Sequence, residues 1–341
     1  MKSDWRLYYV GFSDGLAPVL LDGVFGFTDH SGHIVAKIPY NQMGAFSEGL
    51  LAVKVKNKWG YINKHFEIAI KPQYDDAGSF SEGLAHVQID NGVGYIDKTG
   101  SLVIQPDYDF AGGFSEGLAL ASRSCDDHFF IDKKGNVVLN FSDEPPTEPD
   151  DDKCRSIGSF SDGLALVRTS KPYWYIDKNG KIIIEQKYEN ANSFSDGLAA
   201  IKMNGKWGYI DPSGKVVIEP QYEACHNFKE NLALVVVNDK WVFINKRGKI
   251  VIDIPCSGLA DYSEGLAAIL VDDKYGFVDK TGKVVIQPRF SLEFYLTEGM
   301  GFCSISVNDP HKLEYERVMA RIRKKERLKS NYLHSCHTIT F

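Results

Sequence analysis

Recurring carboxylates are the residues of this 341-residue chain whose spacing could most readily do chemistry. One set opens four similar turns, and hard cations prefer such oxygen ligands. The turns are Asp97-Lys98-Thr99-Gly100, Asp132-Lys133-Lys134-Gly135, Asp177-Lys178-Asn179-Gly180 and Asp279-Lys280-Thr281-Gly282. Turn formation explains this pattern better than a ring of metal ligands, because Asp accepts backbone N–H bonds at the turn entrance and Gly takes the left-handed exit position.

A second set of acids follows an aromatic residue by two positions, usually in the order aromatic–Ser–acid–Gly. Its members are Asp14, Glu48, Glu82, Glu116, Asp162, Asp196, Glu230, Glu264 and Glu298. A catalytic site needs residues that differ in role, whereas these acids are equivalent. Their equivalence favours a structural role in a turn along one side of a regular array.

Other reactive groups are sparse. His334-Ser335-Cys336-His337 offers three zinc-type ligands, but it lies at a chain terminus, where ordered metal sites are uncommon. The sequence contains no GxSxG, phosphate-loop or HExxH motif. We therefore predict no catalytic residues, no metal and no cofactor, and hence a protein that is not an enzyme.

The acids of the second set are positioned by a repeat of 34 residues. Counted from its aromatic residue, the motif starts at Phe12, Phe46, Phe80, Phe114, Phe160, Phe194, Phe228 and Tyr262, with a degenerate ninth start at Leu296. Every interval is 34 residues except the fourth, which is 46. A fixed period of this length indicates a repeat architecture, in which each unit buries its apolar face against its neighbours.

Each unit reads as a three-stranded antiparallel meander. In the sixth unit, three runs rich in β-branched and aromatic residues are separated by Asn204-Gly205 and Asp211-Pro212-Ser213-Gly214. Asn-Gly tolerates the positive φ angles of a two-residue hairpin loop. The third run enters a Pro-x-Tyr motif or a variant such as Pro220-Gln221-Tyr222, and we expect this proline to close the strand at a sheet edge.

These residues resemble a known family. Lys58-Trp59-Gly60-Tyr61-Ile62, Lys206-Trp207-Gly208-Tyr209-Ile210-Asp211 and the recurrent Phe-Ser-(Asp/Glu)-Gly-Leu-Ala look like tandem WG (KWG) repeats, found mainly in bacterial proteins. The resemblance covers residues 12 to about 307. It implies an all-β repeat array with a binding or scaffolding role, and it carries no catalytic residues over to this chain.

We predict an all-β domain at residues 1–309, with about eight units closed into a propeller-like ring, and a basic, partly helical tail at residues 310–341. Closure removes the edges of the array. A small residue near the start of most first strands, such as Ala85 or Ala199, suits a crowded axis. The alternative is an open β-solenoid, which the ninth copy of the motif favours.

Composition limits the partners. A formal charge of −6 gives no field that would gather nucleic acid, and no apolar run is long enough to span a membrane. Six scattered cysteines without a CxxC pair and an N-terminus unlike a secretory signal favour a reduced, cytoplasmic protein. A delivered effector without a secretion signal is the alternative.

The fourth and fifth units depart from the pattern. The longer interval places an acidic, proline-rich insertion at residues 141–153, which should form a surface loop, and such departures often lie on a binding face. Where other units have Trp-Gly, the fourth unit has His128-Phe129 and the fifth has Tyr173-Trp174. The candidate binding residues are therefore Asp150, Asp151, Asp152, His128, Tyr173 and Trp174.

The leading functional hypothesis is a non-enzymatic scaffold that binds a protein partner on this side of the array. The competing hypothesis is a carbohydrate- or small-ligand-binding array that uses Trp59, Trp207 and Trp241, although packing between repeats also explains those aromatics. For the basic helix predicted at residues 313–328, capping of the array is favoured over peripheral contact with a membrane or a partner.

Overall fold

The computed structural model describes residues 11–21, 24–40, 42–124, 127–141, 156–168, 173–186 and 188–290, together with the backbone of 295–296 and 303–304. Asp150, Asp151, Asp152, the His334–His337 cluster and the C-terminal tail lie outside the described residues. Within the described part every strand pairing is antiparallel and no helix is present, so the all-β prediction is confirmed.

Eight sheets follow one another along the chain. The first contains Ala17–Leu21, Val24–Thr28 and Ile34–Lys37. The second contains Gln42–Ser47, Leu50–Val55, Lys58–Asn63 and Ile68–Tyr74. The third contains Asp76–Ala77, Leu84–Ile89, Gly92–Asp97 and Leu102–Tyr108. The fourth contains Phe110–Ala111, Ala119–Ser122, His128–Ile131 and Val137–Asn140.

The second half repeats this plan. The fifth sheet contains Ser156–Ile157, Ala165–Arg168, Tyr173–Ile176 and Ile182–Gln186. The sixth contains Asn190–Ala191, Ala199–Met203, Lys206–Ile210 and Val216–Tyr222. The seventh contains Leu232–Val237, Lys240–Asn245 and Ile250–Ile252. The eighth contains Gly258–Leu259, Leu266–Val271, Lys274–Asp279 and Val284–Phe290.

The predicted three-stranded meander is present in every sheet, and most sheets add a short strand that the sequence did not reveal. In five sheets the connector forms a two-residue strand, such as Asp76–Ala77, that pairs with the first meander strand. The third meander strand lies at the opposite, outer edge, where Ile68 and Val103 are exposed. In these five sheets the unit is therefore a four-stranded blade whose inner strand comes from the connector, whereas the first and seventh sheets have three strands.

The proline of the Pro-x-Tyr motif does not end the third strand, which corrects the prediction. Pro72 lies inside Ile68–Tyr74, and Pro220 lies inside Val216–Tyr222. These are outer edge strands whose register shifts twice against the second strand, between Trp207 and Tyr209 and between Tyr209 and Ile210 in the sixth sheet. An edge strand with a bulge can accommodate a residue that has no N–H to donate.

The array closes on itself. The Ser263 hydroxyl donates to the Phe12 carbonyl, and the Gly15 N–H donates to the Glu264 carboxylate at 2.9 Å. One apolar cluster combines residues of the first, second and eighth sheets, including Phe12, Phe27 and Phe277. The eight sheets therefore surround an axis as an eight-bladed β-propeller, and the open solenoid was wrong.

The ninth copy of the motif also has a place in the ring. The backbone of Cys303–Ser304 pairs with Gln42–Ser47, the innermost strand of the second blade, and Tyr295–Leu296 pairs with Cys303–Ser304 in turn. The copy that favoured the open alternative therefore adds to a sheet of the closed ring.

Tyrosines of the second strands tie consecutive blades together. The hydroxyls of Tyr61, Tyr95, Tyr175 and Tyr209 donate to backbone carbonyls 17 residues ahead at 2.7–2.8 Å. Burial raises the pKa of each of these hydroxyls, so they remain protonated donors. A buried tyrosine needs such a partner, and here the partner lies on the next blade.

Candidate functional site

The blades present two different faces. Because the strands alternate in direction, successive turns lie on opposite sides of the ring. The Ser–acid–Gly turns and the turns between second and third strands share one side, which we call the acid face. The turns between first and second strands and the connectors between blades share the other side, which we call the loop face.

On the acid face, each repeated acid occupies the first central position of a two-residue turn. Ser81 and Leu84 exchange both backbone hydrogen bonds, while Glu82 has a φ of 54° and Gly83 a φ of 88°. Positive φ at both central residues defines a type I′ turn, and only glycine adopts it without strain at the second. All eight acids from Asp14 to Glu264 have φ between 52° and 57°.

The eight carboxylates link the blades into a ring. Each accepts the N–H of the residue that follows the equivalent acid in the next unit, as Glu82 does from Gly117 at 3.0 Å. The acceptors are Asp14, Glu48, Glu82, Glu116, Asp162, Asp196, Glu230 and Glu264. This confirms the structural turn role that their equivalence indicated.

Cationic side chains complete this ring. The lysine after the turn Asp or Asn reaches the acid of the preceding unit, at 2.9 Å for Lys98 and Glu48 and at 3.0 Å for Lys133 and Glu82. His30 takes the corresponding place beside Glu264, at 3.3 Å. At Asp162 the position is filled by Pro212, which carries no charge. The carboxylates of the acid face are thus engaged in contacts within the fold.

The Asp side chains in the turns between second and third strands also form local hydrogen bonds. Asp97 accepts the N–H groups of Thr99 and Ser101 and the Thr99 hydroxyl. The Thr99 hydroxyl and these N–H groups hold the pKa of Asp97 below its ordinary value, although desolvation acts in the opposite direction. Within the described ranges, no group of three His, Cys, Asp or Glu side chains is arranged to hold a metal ion.

We expect the acid face to make the fold sensitive to low pH. Burial alone would raise the pKa of Glu48 and Glu82, but the lysines and backbone N–H groups hold both below the ordinary value of 4.5. Such a carboxyl contributes stability that is complete above its unfolded pKa and is lost as the pH falls through its folded pKa. Thermal melts should therefore show a constant Tm down to about pH 5 and a steep decline below about pH 4.

A double variant, E48Q/E82Q, provides the control. It should have a lower Tm at neutral pH and a shallower decline in acid, since glutamine keeps an acceptor oxygen and loses the charge. An equally steep acid decline in this variant would assign the effect to other carboxyls.

On the loop face, the candidate residues of the fifth blade point in two directions. Trp174 is 8% exposed and packs in the apolar cluster between the fourth and fifth blades. Its indole nitrogen is buried without a hydrogen-bond partner among the described residues. Tyr173 is only partly buried and packs against the cluster that joins the fifth and sixth blades. Trp174 therefore belongs to the core, whereas Tyr173 reaches the surface.

His128 lies one blade earlier and is partly exposed. It begins the strand His128–Ile131, pairs with Ser122, and its carbonyl accepts the N–H of Phe141 at 3.1 Å. Phe141 is the first residue of the acidic insertion and its only described residue, so His128 lies beside the start of the insertion. The structure thus brings His128 next to the insertion and leaves Tyr173 and Trp174 on opposite sides of one sheet.

The partly buried thiols of Cys225 and Cys256 have raised pKa values. Cys225 and Cys256 are free, and burial raises the pKa of Cys225 to about 12 despite its hydrogen bond with Tyr209. A thiol must ionise to act as a nucleophile or metal ligand.

Among the residues described, no helix is both long and apolar enough to cross a membrane.

Comparison with known proteins agrees with this architecture. The family model described as WG containing repeat matches residues 25–59, 59–92, 94–122, 175–207, 207–241, 243–275 and 275–302. The gap between 122 and 175 coincides with the atypical fourth and fifth units. A search of the curated proteins finds no significant match.

Solved structures resemble the fold at low sequence identity. The computationally designed Ika8 protein is 12% identical, with 80% of this chain and 93% of that chain covered and a TM-score of 0.52. A eukaryotic initiation factor is 11% identical, with 84% and 88% covered and a TM-score of 0.52. At such identities the likeness concerns the fold alone.

Proposed function

The chain belongs to the WG-repeat family, and we propose that it is a non-enzymatic scaffold that binds a protein partner on the loop face around its fourth and fifth blades. The observation that carries this proposal is the contrast between the two faces. The acid face repeats one set of contacts around the ring, whereas the 12 residues added between Phe114 and Phe160, relative to the 34-residue period, enter mainly on the loop face. Departures from a regular repeat are typical of a binding face.

The proposed interaction surface consists of residues 141–155, His128 and Tyr173. The inserted segment contains Asp150, Asp151 and Asp152, which suit a basic partner surface. His128 and Tyr173 are partly exposed, and the His128 carbonyl accepts the N–H of Phe141 at the start of the segment, whereas Trp174 lies in the core. Polar and aromatic side chains around a charged segment are a common composition for a protein interface.

Deletion of residues 143–153 tests the proposal. The segment carries no core residue of the repeat pattern, so the variant should keep the Tm of the full chain. A partner captured by the full chain, and then purified, should bind the deletion variant at least about tenfold more weakly. The matched variant D150N/D151N/D152N keeps the length and removes the charges, so it separates charge recognition from contact with the segment. Equal affinity of the partner for the deletion variant would contradict the proposed surface.

The proposal also covers the cellular compartment of the protein and its C-terminal tail. The two described cysteines are free, which agrees with the proposed reducing, cytoplasmic compartment. The tail at residues 310–341 keeps its proposed role as a basic element, with capping of the array favoured over peripheral contact with a membrane.

A further inference from the structure

The seventh blade lacks an aromatic residue that six other blades share. At the end of the third strand or two to three residues after it stand Tyr40, Tyr74, Tyr108, Tyr188, Tyr222 and Phe290, each at the same place in its repeat. In the second, sixth and eighth blades this ring is the register partner of the aromatic residue at the second position of the second strand, as in Trp59–Tyr74 and Trp207–Tyr222. The seventh blade has Cys256 in this position.

The smaller side chain leaves a cleft beside Trp241. The third strand of this blade is also short and ends at Ile252, whereas the equivalent strand of the sixth blade continues to Tyr222. The cleft measures about 480 Å³ and is lined by Lys240, Trp241, Asp253, Ile254, Pro255, Cys256, Ser257 and Gly258. This volume lies within the usual range for small-molecule sites. A missing aromatic ring thus produces a concave surface on an otherwise filled blade.

A polar network fixes the wall of this cleft. The His226 ring contacts the Trp241 ring with centroids 5.1 Å apart, and its Nδ1 lies 2.7 Å from an Asp261 oxygen. Lys229 approaches the other Asp261 oxygen at 3.4 Å. Burial alone would raise the pKa of Asp261, but His226 and Lys229 hold it below its ordinary value, so it remains a carboxylate.

The third, fourth and fifth blades have no such network. The counterparts of His226 there are Gly78, Gly112 and Gly158, and the counterparts of Asp261 are Ser79, Gly113 and Ser159. At the junction of the sixth and seventh blades, the counterparts Asn192 and Asn227 form a neutral side-chain hydrogen bond at 3.0 Å. Among the described residues, the ionisable pair of His226 and Asp261 beside Trp241 therefore belongs to this one junction. An aromatic ring that is already fixed before binding lowers the entropic cost of binding a ligand.

We propose that this cleft binds a neutral pyranose sugar. The indole of Trp241, with Ile254 and Pro255 beside it, offers the flat apolar surface on which the C–H face of a sugar ring stacks. Lys240 and Asp253 provide one donor group and one acceptor group and form no ion pair with each other or with another described residue. Their charges cancel, which favours a neutral ligand rich in hydroxyls over an anion or a cation.

Three variants test this site, with maltose, cellobiose and diacetylchitobiose as probes in titrations followed by ligand-observed NMR. Cys256→Tyr restores the ring found in six other blades and should fill the cleft without unfolding the protein. Trp241→Ala removes the stacking surface. Both should weaken binding of a responding disaccharide at least about tenfold. Trp207→Ala is the matched control, because Tyr222 already occupies the equivalent place, and it should leave binding unchanged.

Thermal melts of all variants accompany the titrations, so that loss of binding is separated from loss of folding. Saturable binding that is lost in Cys256→Tyr at an unchanged Tm supports the site. Failure of all three disaccharides to bind the full chain, or equal binding by Cys256→Tyr, overturns it. The result is independent of the protein partner, whose proposed surface lies on the fourth and fifth blades.

Discussion

Gly208→Ala should destabilise the protein by about 3 kcal/mol, the upper part of the range for forcing atoms into a packed interior. A Cβ at Gly208 would lie 2.5 Å from the Ile218 carbonyl oxygen and 2.7 Å from the Pro220 nitrogen. Both are backbone atoms of the third strand, so neither can move aside as a side chain would. Denaturant unfolding of wild type and variant measures the loss directly.

Gly205→Ala is the control for this substitution. Gly205 has a φ of 76° and nothing within 4 Å of the added Cβ, so alanine there meets only backbone strain. That strain costs roughly 1–2 kcal/mol for a left-handed residue. A loss at Gly208 no larger than that at Gly205 would contradict the close approach of the two strands.

The same contact explains the glycine of the repeat motif. Gly60, Gly94, Gly208 and Gly276 each face the third-strand backbone at 2.4–2.6 Å from the added Cβ, and each of these strands contains the motif proline. The fourth, fifth and seventh blades have Phe129, Trp174 and Val242 instead, and their register shifts only once. Glycine and proline therefore act together to form the double register shift of the typical blades.

The repeat allowed the sequence to predict much of this fold. The 34-residue period, the turn residues and the alternating strands predicted the meanders, and the equivalence of the repeated acids predicted their structural role. The inner strand escaped prediction because two residues, such as Asp76–Ala77, are too short to show a periodic pattern. The place of the motif proline was predicted wrongly because proline is excluded from central strands, whereas Pro72 lies in an outer edge strand with a bulge.

The sites were harder to predict, for two different reasons. Trp174 stood out as a departure from the motif, but only the structure shows that it faces the core and Tyr173 the other side of the sheet. The cleft beside Trp241 depends on a residue that is small where others are aromatic. Alignment of Cys256 with Tyr74 and Tyr222 was the signal that could have revealed it.

Phe12→Ala should destabilise the protein by about 3–5 kcal/mol, the usual loss for a phenylalanine removed from a packed core. Phe12 begins the first unit, is 1% exposed, and lies 4.9 Å from the ring of Phe277 in the eighth blade. Its carbonyl also accepts the hydroxyl of Ser263. In a closed ring this junction is as well packed as any other, even though its residues lie at opposite ends of the repeat array.

Two matched variants make this a test of closure. Phe228 holds the equivalent place between the sixth and seventh blades, is 0% exposed, and lies 4.7 Å from the ring of Tyr209. Phe110 is 51% exposed on a short inner strand, so its replacement by alanine should change stability by at most about 0.5 kcal/mol.

Denaturant unfolding should give similar losses for Phe12→Ala and Phe228→Ala. A loss at Phe12 as small as that at Phe110, beside a full loss at Phe228, would mean that the first and eighth blades are not joined in solution. Equal losses require the joined ring, because an unjoined first unit would keep His30 of its own blade against Phe12 but would lose Phe277.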